Sequence, residues 1–92
     1  MNYANLLSDA VVRSGWTYAQ IVEKCGQRGI TFSRSYLSKL CTGFMSPPSD
    51  QINKALAEVL GPATSITYSD LALAKYKQIV PNEVLEALAS GE

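Results

Sequence analysis

Helix start and stop signals recur at short, regular intervals along this chain, and they constrain its fold more than any other feature. Four residues that favour helix N-caps each precede a stretch whose apolar residues repeat with helical spacing: Asn2, Thr17, Ser33 and Ser49. Gly or Pro follows each stretch. No segment shows a convincing period-two alternation, which a half-buried strand requires. We therefore predict an all-α fold of five to six short helices.

The same signals predict where each helix begins and ends. The expected helices cover residues 2–14, 17–25, 33–41, 49–60, 67–79 and 81–89. Gln20, three residues after Thr17, forms a capping box with it. Gly61–Pro62 is expected to end the fourth helix, because proline cannot donate the next backbone hydrogen bond. Trp16, Phe32 and the leucines are expected in the core.

Composition excludes several classes of protein. The chain has 92 residues, of which 47% are hydrophobic and 17% charged, as in a single soluble globular unit. It has no apolar stretch near the 20 residues that span a bilayer, so no membrane association is expected. It contains no His, and Cys25 and Cys41 lack metal-ligand spacing, so neither a metal site nor His-based catalysis is expected. Both thiols are expected to be reduced and buried, as in a cytoplasmic protein.

Chemistry-bearing motifs are equally scarce. The sequence has no paired carboxylates on one face, no nucleophile with an adjacent base and no glycine loop for phosphates. We therefore predict that the protein is not an enzyme, and we expect neither a cofactor nor a small-molecule substrate.

The net charge of zero conceals an asymmetry between the two halves. Residues 1–48 carry five basic and two acidic residues, whereas residues 49–92 carry three basic and six acidic ones. These halves have net charges of +3 and −3. A chain with halves of opposite charge suits a charged partner that binds to one half only. Ordinary scatter of surface charge would give the same numbers.

The third expected helix has an unusual outward face. Leu37, Leu40 and Cys41 fall on one side at 100° per residue. The opposite side and its flanks carry small hydroxyls and basic or aromatic groups: Arg34, Ser35, Tyr36, Ser38, Lys39 and Thr42. No acid interrupts this face, which suits the major groove of DNA because phosphates would repel an acid. The alternative is an ordinary polar helix surface.

The residues around this helix resemble a known family. The run 33–40 (Ser-Arg-Ser-Tyr-Leu-Ser-Lys-Leu), followed by Gly43 and Pro48-Ser49, resembles the lambda-repressor-like helix-turn-helix family, also called the Cro/repressor or XRE family. Further matches at Thr17, Ala57, Leu60 and Gly61 add to a resemblance that covers residues 3–61. The form with Ser-Tyr-Leu-Ser-Lys-Leu is similar to regulators of actinobacteria and their phages. Two features differ: Tyr18 replaces a common Gln, and the turn at 27–31 is longer.

The resemblance implies two parts of the chain and assigns roles to individual residues. Residues 1–61 would form the helix-turn-helix domain, and residues 62–92 a C-terminal helical extension. The family's base-contacting positions fall on Arg34, Ser35, Tyr36, Ser38 and Lys39, and its phosphate-contacting positions on Thr17, Tyr18, Arg28, Ser33, Thr42 and Gly43. Arg34 would bind guanine or a phosphate, Lys39 a phosphate or guanine, and Tyr36 either a thymine methyl or the edge of the core.

The function expected from this resemblance is sequence-specific binding of double-stranded DNA. The protein would regulate transcription, as a repressor that occludes a promoter, and would act in the cytoplasm at the nucleoid. Apolar positions within 66–89 would form a homodimer seam, because similar repressors bind two-fold sites as dimers. Alternatively, these helices complete the core, or the chain is the N-terminal piece of a longer protein.

A protein–protein interaction module on the same helical fold is the competing interpretation. An antirepressor or a polymerase adaptor would fit the net charge of zero and the five basic residues in the first half. The two interpretations differ in which surface matters: the third helix for DNA, or the apolar faces of the last two helices for a protein.

Overall fold

The computed structural model describes residues 2–79, and these residues form five α-helices. The helices are α1 Tyr3–Ser14, α2 Tyr18–Gly26, α3 Arg34–Thr42, α4 Asp50–Thr64 and α5 Tyr68–Ile79. No strand occurs within this range. The prediction of an all-α fold is therefore confirmed for the described residues. The expected helix at 81–89 lies outside them.

The predicted N-caps make the hydrogen bonds that begin the first four helices. Side-chain oxygens of Asn2, Thr17, Ser33 and Ser49 accept from the backbone N–H three residues further on. At α2 the Gln20 side chain also accepts from the Thr17 N–H at 2.9 Å, which completes the capping box. Local sequence alone therefore determines where these helices begin.

The expected end of α4 is wrong, because the helix continues through Pro62 to Thr64. Proline normally forces the preceding residue out of the helical conformation by contact with its Cβ, and Gly61 has none. Two hydrogen bonds complete the last turn: the Ser65 N–H donates to the Gly61 carbonyl at 2.7 Å, and the Thr64 hydroxyl donates to the Leu60 carbonyl at 2.8 Å. The predicted boundary between the helix-turn-helix domain (1–61) and the C-terminal extension (62–92) thus falls inside α4.

One hydrophobic core joins all five helices. α1 packs against α3, α4 and α5, and α2 packs against α3 and α4. The fully buried side chains of this core include Leu7, Ile21, Leu37, Leu40, Leu56, Leu60 and Leu71. Trp16 and Phe32 were predicted inside this core, but both are only half-buried and pack against its edge. Cys25 and Cys41 are buried and free, as predicted.

α5 is attached to the rest of the molecule by one buried side chain and several polar contacts. Leu71 is its only fully buried residue. The Gln78 side chain accepts from the Tyr3 N–H at 3.3 Å, and the Lys75 ammonium and Tyr76 hydroxyl each donate to Asp50 at 2.9 Å. Both hydrogen bonds lower the pKa of Asp50, and the one from Lys75 has the larger effect. α5 therefore contributes to the core, in agreement with the core-completion alternative.

A buried polar pair links α1 to α4. The Tyr3 hydroxyl donates to Asn53 Oδ1 at 2.7 Å, and Asn53 is 0% exposed. Burial raises the pKa of Tyr3 above its usual range. Asn53 Nδ2 has no hydrogen-bond partner within the described part of the chain. Because unsatisfied buried donors are costly, this pair is a defined weak point of an otherwise apolar core.

Substitutions at this pair are expected to be strongly non-additive. Tyr3→Phe leaves the whole Asn53 amide without a protein partner, so it should reduce the free energy of unfolding by about 1–3 kcal/mol. The double variant Tyr3→Phe/Asn53→Leu buries no unpaired polar group, and we expect its stability to return to within about 1 kcal/mol of the parent protein. Urea denaturation compares the parent, Tyr3→Phe, Asn53→Leu and the double variant. Equal, additive losses would contradict this account.

Candidate nucleic-acid interface

α3 buries the predicted face and exposes the predicted polar one. Leu37, Leu40 and Cys41 are buried, whereas Ser35 and Lys39 are exposed. Between residues 2 and 79, no carboxylate oxygen lies within 4.0 Å of a charged nitrogen of Arg34 or Lys39. Both cations are therefore available to an outside anion.

The N-terminal ends of α2 and α3 meet at one groove, which we call the polar groove. It is lined by Thr17, Tyr18, Ala19, Arg34, Ser35 and Ser38. Five of these six residues are sequence-predicted site residues, contributed by two helices that the chain separates by a seven-residue connection. The sixth, Ala19, was missed because its side chain carries no chemistry, although its position in the first turn of α2 leaves its backbone N–H free.

Free backbone donors of α2 face outward at this groove. The capping box occupies the amides of Thr17 and Gln20. The N–H groups of Tyr18 and Ala19 have no acceptor among the described residues. Because the Thr17 hydroxyl oxygen only accepts here, its hydrogen also stays available. The first turn of α2 thus offers three donors and the positive end of a helix dipole.

The first turn of α3 has the same arrangement. The Ser33 hydroxyl oxygen accepts from the Tyr36 N–H at 3.0 Å. The N–H groups of Arg34 and Ser35 have no acceptor within the described part of the chain. Two helix N-termini and one guanidinium therefore converge where an anionic group would be stabilised.

The other predicted residues do not line the polar groove, although Ser33 caps α3 directly beside it. Arg28 is beside Glu58 of α4, with Nε 3.7 Å from Oε1. At the C-terminal end of α3, the Thr42 hydroxyl donates to the Ser38 carbonyl at 2.9 Å, and the Gly43 N–H donates to the Lys39 carbonyl. These donors are already used, and the C-terminal end of a helix dipole disfavours phosphate.

Tyr36 and Lys39 belong to α3 but do not line the polar groove. The half-buried Tyr36 ring packs edge-to-face on Phe32, with ring centroids 5.9 Å apart. This contact agrees with the alternative that Tyr36 covers the edge of the core. Lys39 is exposed, so its ammonium can extend from the outward face of α3.

Phe44 is a surface feature that sequence reasoning missed. It follows the left-handed Gly43 that ends α3, and its side chain is 83% exposed. Its N–H donates to the Lys39 carbonyl at 2.9 Å, which fixes the backbone at the end of α3. The available signal was an aromatic residue directly after a helix-ending glycine and shortly before two prolines.

A second groove adjoins the polar groove and is largely apolar. This apolar groove is lined by Val11, Val12, Gly15, Trp16, Thr17 and Tyr18. Thr17 and Tyr18 line both grooves, so the two are neighbours. Val12 is 75% exposed beside it, and Lys24 Nζ lies 4.6 Å from the centroid of a Trp16 ring.

Within residues 2–79, no group of three or more Cys, Asp or Glu side chains comes together as a metal site. None of the helices in this range has the length and apolar character needed to cross a membrane. The chain matches no protein-family model, no curated protein and no solved structure.

Proposed function

We propose that this protein is a sequence-specific double-stranded DNA-binding transcription regulator that acts as a repressor by occluding a promoter. One observation carries the proposal: the polar groove joins two helix N-termini to Arg34, on a helix face without an acid. Such a surface combines phosphate binding by backbone amides with a side chain suited to base recognition.

The proposed mechanism divides the contacts between bases and phosphates. α3 enters the major groove, where the Arg34 guanidinium donates two hydrogen bonds to guanine. Ser35 and Ser38 supply short hydroxyl contacts beside it. The free amides of Tyr18 and Ala19 hold a phosphate and fix the orientation of the protein on the duplex. Lys39 adds a phosphate contact from the outward face.

The proposed assembly is a homodimer formed through α5. Tyr68, Ala72, Tyr76 and Ile79 follow one another at helical spacing, and the three large side chains among them are at least 38% exposed. Two copies joined along this stripe would present two α3 helices to a two-fold symmetric site. The acidic half of each chain would then lie away from phosphates. Such a protein would act in the cytoplasm, at the nucleoid.

A selection from random duplexes tests this proposal. We expect enrichment of a two-fold symmetric site, with an affinity in anisotropy titrations that falls steeply as salt rises, because phosphate binding releases counterions. Enrichment of one asymmetric site would retain DNA binding and remove the dimer. No enrichment, or weak binding to every duplex, would contradict the proposed function.

The second candidate function is protein binding through the α5 stripe, and the exposure of Tyr68 and Ile79 favours it. Under this alternative, substitutions of those two residues would abolish association with a polymerase subunit or a repressor, and Arg34→Ala would not. The negative outcome of the duplex selection, together with this pattern, would support the alternative.

A further inference from the structure

Phe44 is the most exposed of the large apolar side chains in the described part of the chain, at 83%. It directly follows Gly43, whose left-handed backbone ends α3. At this kind of helix end, the apolar residue after the glycine usually packs on the residue whose carbonyl its N–H binds. Here that residue is Lys39, and the Phe44 ring stays open to solvent. The fold therefore gains almost nothing from burial of this ring.

The backbone that carries Phe44 is held in place on both sides. The N–H groups of Gly43, Phe44 and Met45 all donate to the Lys39 carbonyl, that of Phe44 at 2.9 Å. Pro48, four residues after Phe44, is buried, and the prolines at 47 and 48 restrict the chain before α4. Because a side chain on a fixed backbone loses little conformational entropy on binding, Phe44 is well suited to contact a partner.

The charges around Phe44 indicate the chemistry of that partner. Residues 24–49 contain four basic residues and no acidic one. Phe44 and Lys39 lie at the same end of α3, so an exposed apolar ring and an exposed lysine occur together there. The backbone of DNA offers the matching pair, because each negatively charged phosphate is followed by the apolar C–H edge of a deoxyribose. Charge complementarity therefore favours a nucleic-acid backbone over a protein surface.

The length of α3 determines which part of the duplex Phe44 can reach. The helix has nine residues and is about 13 Å long, and the major groove of B-DNA is about 12 Å wide. Arg34 begins α3, and Phe44 follows its last turn. With Arg34 at a base edge, the opposite end of α3 therefore lies at the sugar–phosphate wall of the groove.

We propose that the Phe44 ring packs against a deoxyribose of the DNA backbone, beside the phosphate that Lys39 contacts. This inference rests on the proposed function and adds a contact residue to the same interface. The contact is apolar and independent of base sequence. It strengthens binding without neutralising a phosphate, so it releases no counterion and its contribution to affinity does not depend on salt.

Anisotropy titrations of Phe44 variants test this contact. Phe44→Ala should weaken binding to every duplex about four- to tenfold, the effect of returning about half of a phenylalanine side chain to water. The slope of log affinity against log salt should not change. Phe44→Leu should stay within about twofold of the parent protein, because leucine supplies similar apolar area. Leu73→Ala removes an exposed apolar side chain from α5 and is the matched control. An altered salt slope for Phe44→Ala, or an equal loss for Leu73→Ala, would overturn the proposal.

Fluorine NMR observes the ring itself. The chain has two phenylalanines, Phe32 and Phe44, so protein labelled with 4-fluorophenylalanine gives two signals, which Phe44→Leu assigns. With saturating duplex, we expect the Phe44 signal to shift and to lose its dependence on exchange of H2O for D2O, which measures solvent exposure. The half-buried Phe32 is the reference within the same molecule. A Phe44 signal that keeps its position and its solvent dependence, or an equal change at both signals, would overturn the proposal.

Deoxyuridine substitution separates the sugar from the thymine methyl group, which is the other apolar part of DNA within reach of the major groove. Each thymidine of the selected duplex is replaced in turn by deoxyuridine. We expect the loss of affinity caused by Phe44→Ala to be the same in every such duplex. A loss that disappears at one position would assign the contact to that methyl group and overturn the sugar assignment.

Two further outcomes separate this inference from the proposed function. If the parent protein binds a selected duplex and Phe44→Ala binds it equally well, the Phe44 contact fails while DNA binding stands. If the parent protein binds no duplex, the proposed function fails, and the contact fails with it. Sedimentation without DNA should give the same association state for the parent protein and Phe44→Ala. A difference would assign the ring to an interface between copies and overturn the proposal.

Discussion

Arg34→Ala is expected to weaken binding to the selected duplex by about five- to 150-fold, equivalent to about 1–3 kcal/mol. The guanidinium has no acid partner among residues 2–79 and lies in the polar groove, so under the proposed function its removal would leave a guanine edge without its two donors. Anisotropy titrations should use the selected duplex and duplexes that differ at single base pairs. Specificity should relax at one position and persist at the others.

Lys39→Ala should weaken binding to all duplexes to a similar degree. Loss of one phosphate contact is expected to reduce the slope of log affinity against log salt by about one. Lys77→Ala is the matched control, because Lys77 is an exposed lysine of α5 with no ion pair within the described residues. Its removal should have little effect on affinity.

Arg28→Ala tests a distinction between two arginines that the structure makes and the sequence does not. Both grounds for choosing Arg28, its charge and its position in the turn, came from the sequence. Since its guanidinium lies beside Glu58, we expect a smaller loss of affinity than for Arg34→Ala. A larger loss than for Arg34→Ala would contradict the assignment of the polar groove as the interface. Circular dichroism of each variant verifies that the fold is retained.

The starts of the helices could be predicted because they depend on nearby residues. Thr17 and Gln20 satisfy each other's backbone donors within one turn, and Thr67 and Asp70 do the same at the start of α5. Such signals need no information about the rest of the fold. The inward face of α3 was equally predictable, since a helical repeat places Leu37 and Leu40 together.

Features that depend on contacts between a helix and residues outside it could not be predicted. Helix α4 continues past Pro62 partly because Gly61 allows the Ile66 carbonyl to approach closely, since a Cβ at that position would lie 3.0 Å from its oxygen. The partner of Asn53 is Tyr3, fifty residues away. Trp16 was expected inside the core, yet one of its rings lies beneath Lys24 at the surface. Periodicity along one helix contains none of these relations.

The candidate site shows the same limit. Sequence reasoning identified Thr17, Arg34 and Ser38 separately, but only the packing of α2, α3 and α4 brings them to one groove. It also had no means of separating Arg34 from Arg28, because the acid beside Arg28 comes from another helix. Phe44 was missed since a helical wheel does not cover residues beyond the helix end.

Leu71→Ala is expected to reduce the free energy of unfolding by about 2–5 kcal/mol, the usual cost of removing a fully buried leucine side chain. Leu71 is 0% exposed and is the only fully buried residue of α5. Because small domains are stable by only about 5–15 kcal/mol, the substitution should produce a clear shift of the urea midpoint. A single cooperative transition should persist, since α5 belongs to the common core.

Leu73→Ala is the matched control on the same helix. Its side chain is 57% exposed, so we expect a change within about 0.5 kcal/mol. If α5 were a detachable extension, Leu71→Ala would reduce the free energy of unfolding as little as Leu73→Ala does. The urea transition of the other four helices in the full chain would then be unaffected. A large difference between the two variants instead means that α5 stabilises α1 and α4. α2 and α3, which line the proposed DNA interface, would then depend for their stability on the helix whose exposed stripe forms the proposed dimer.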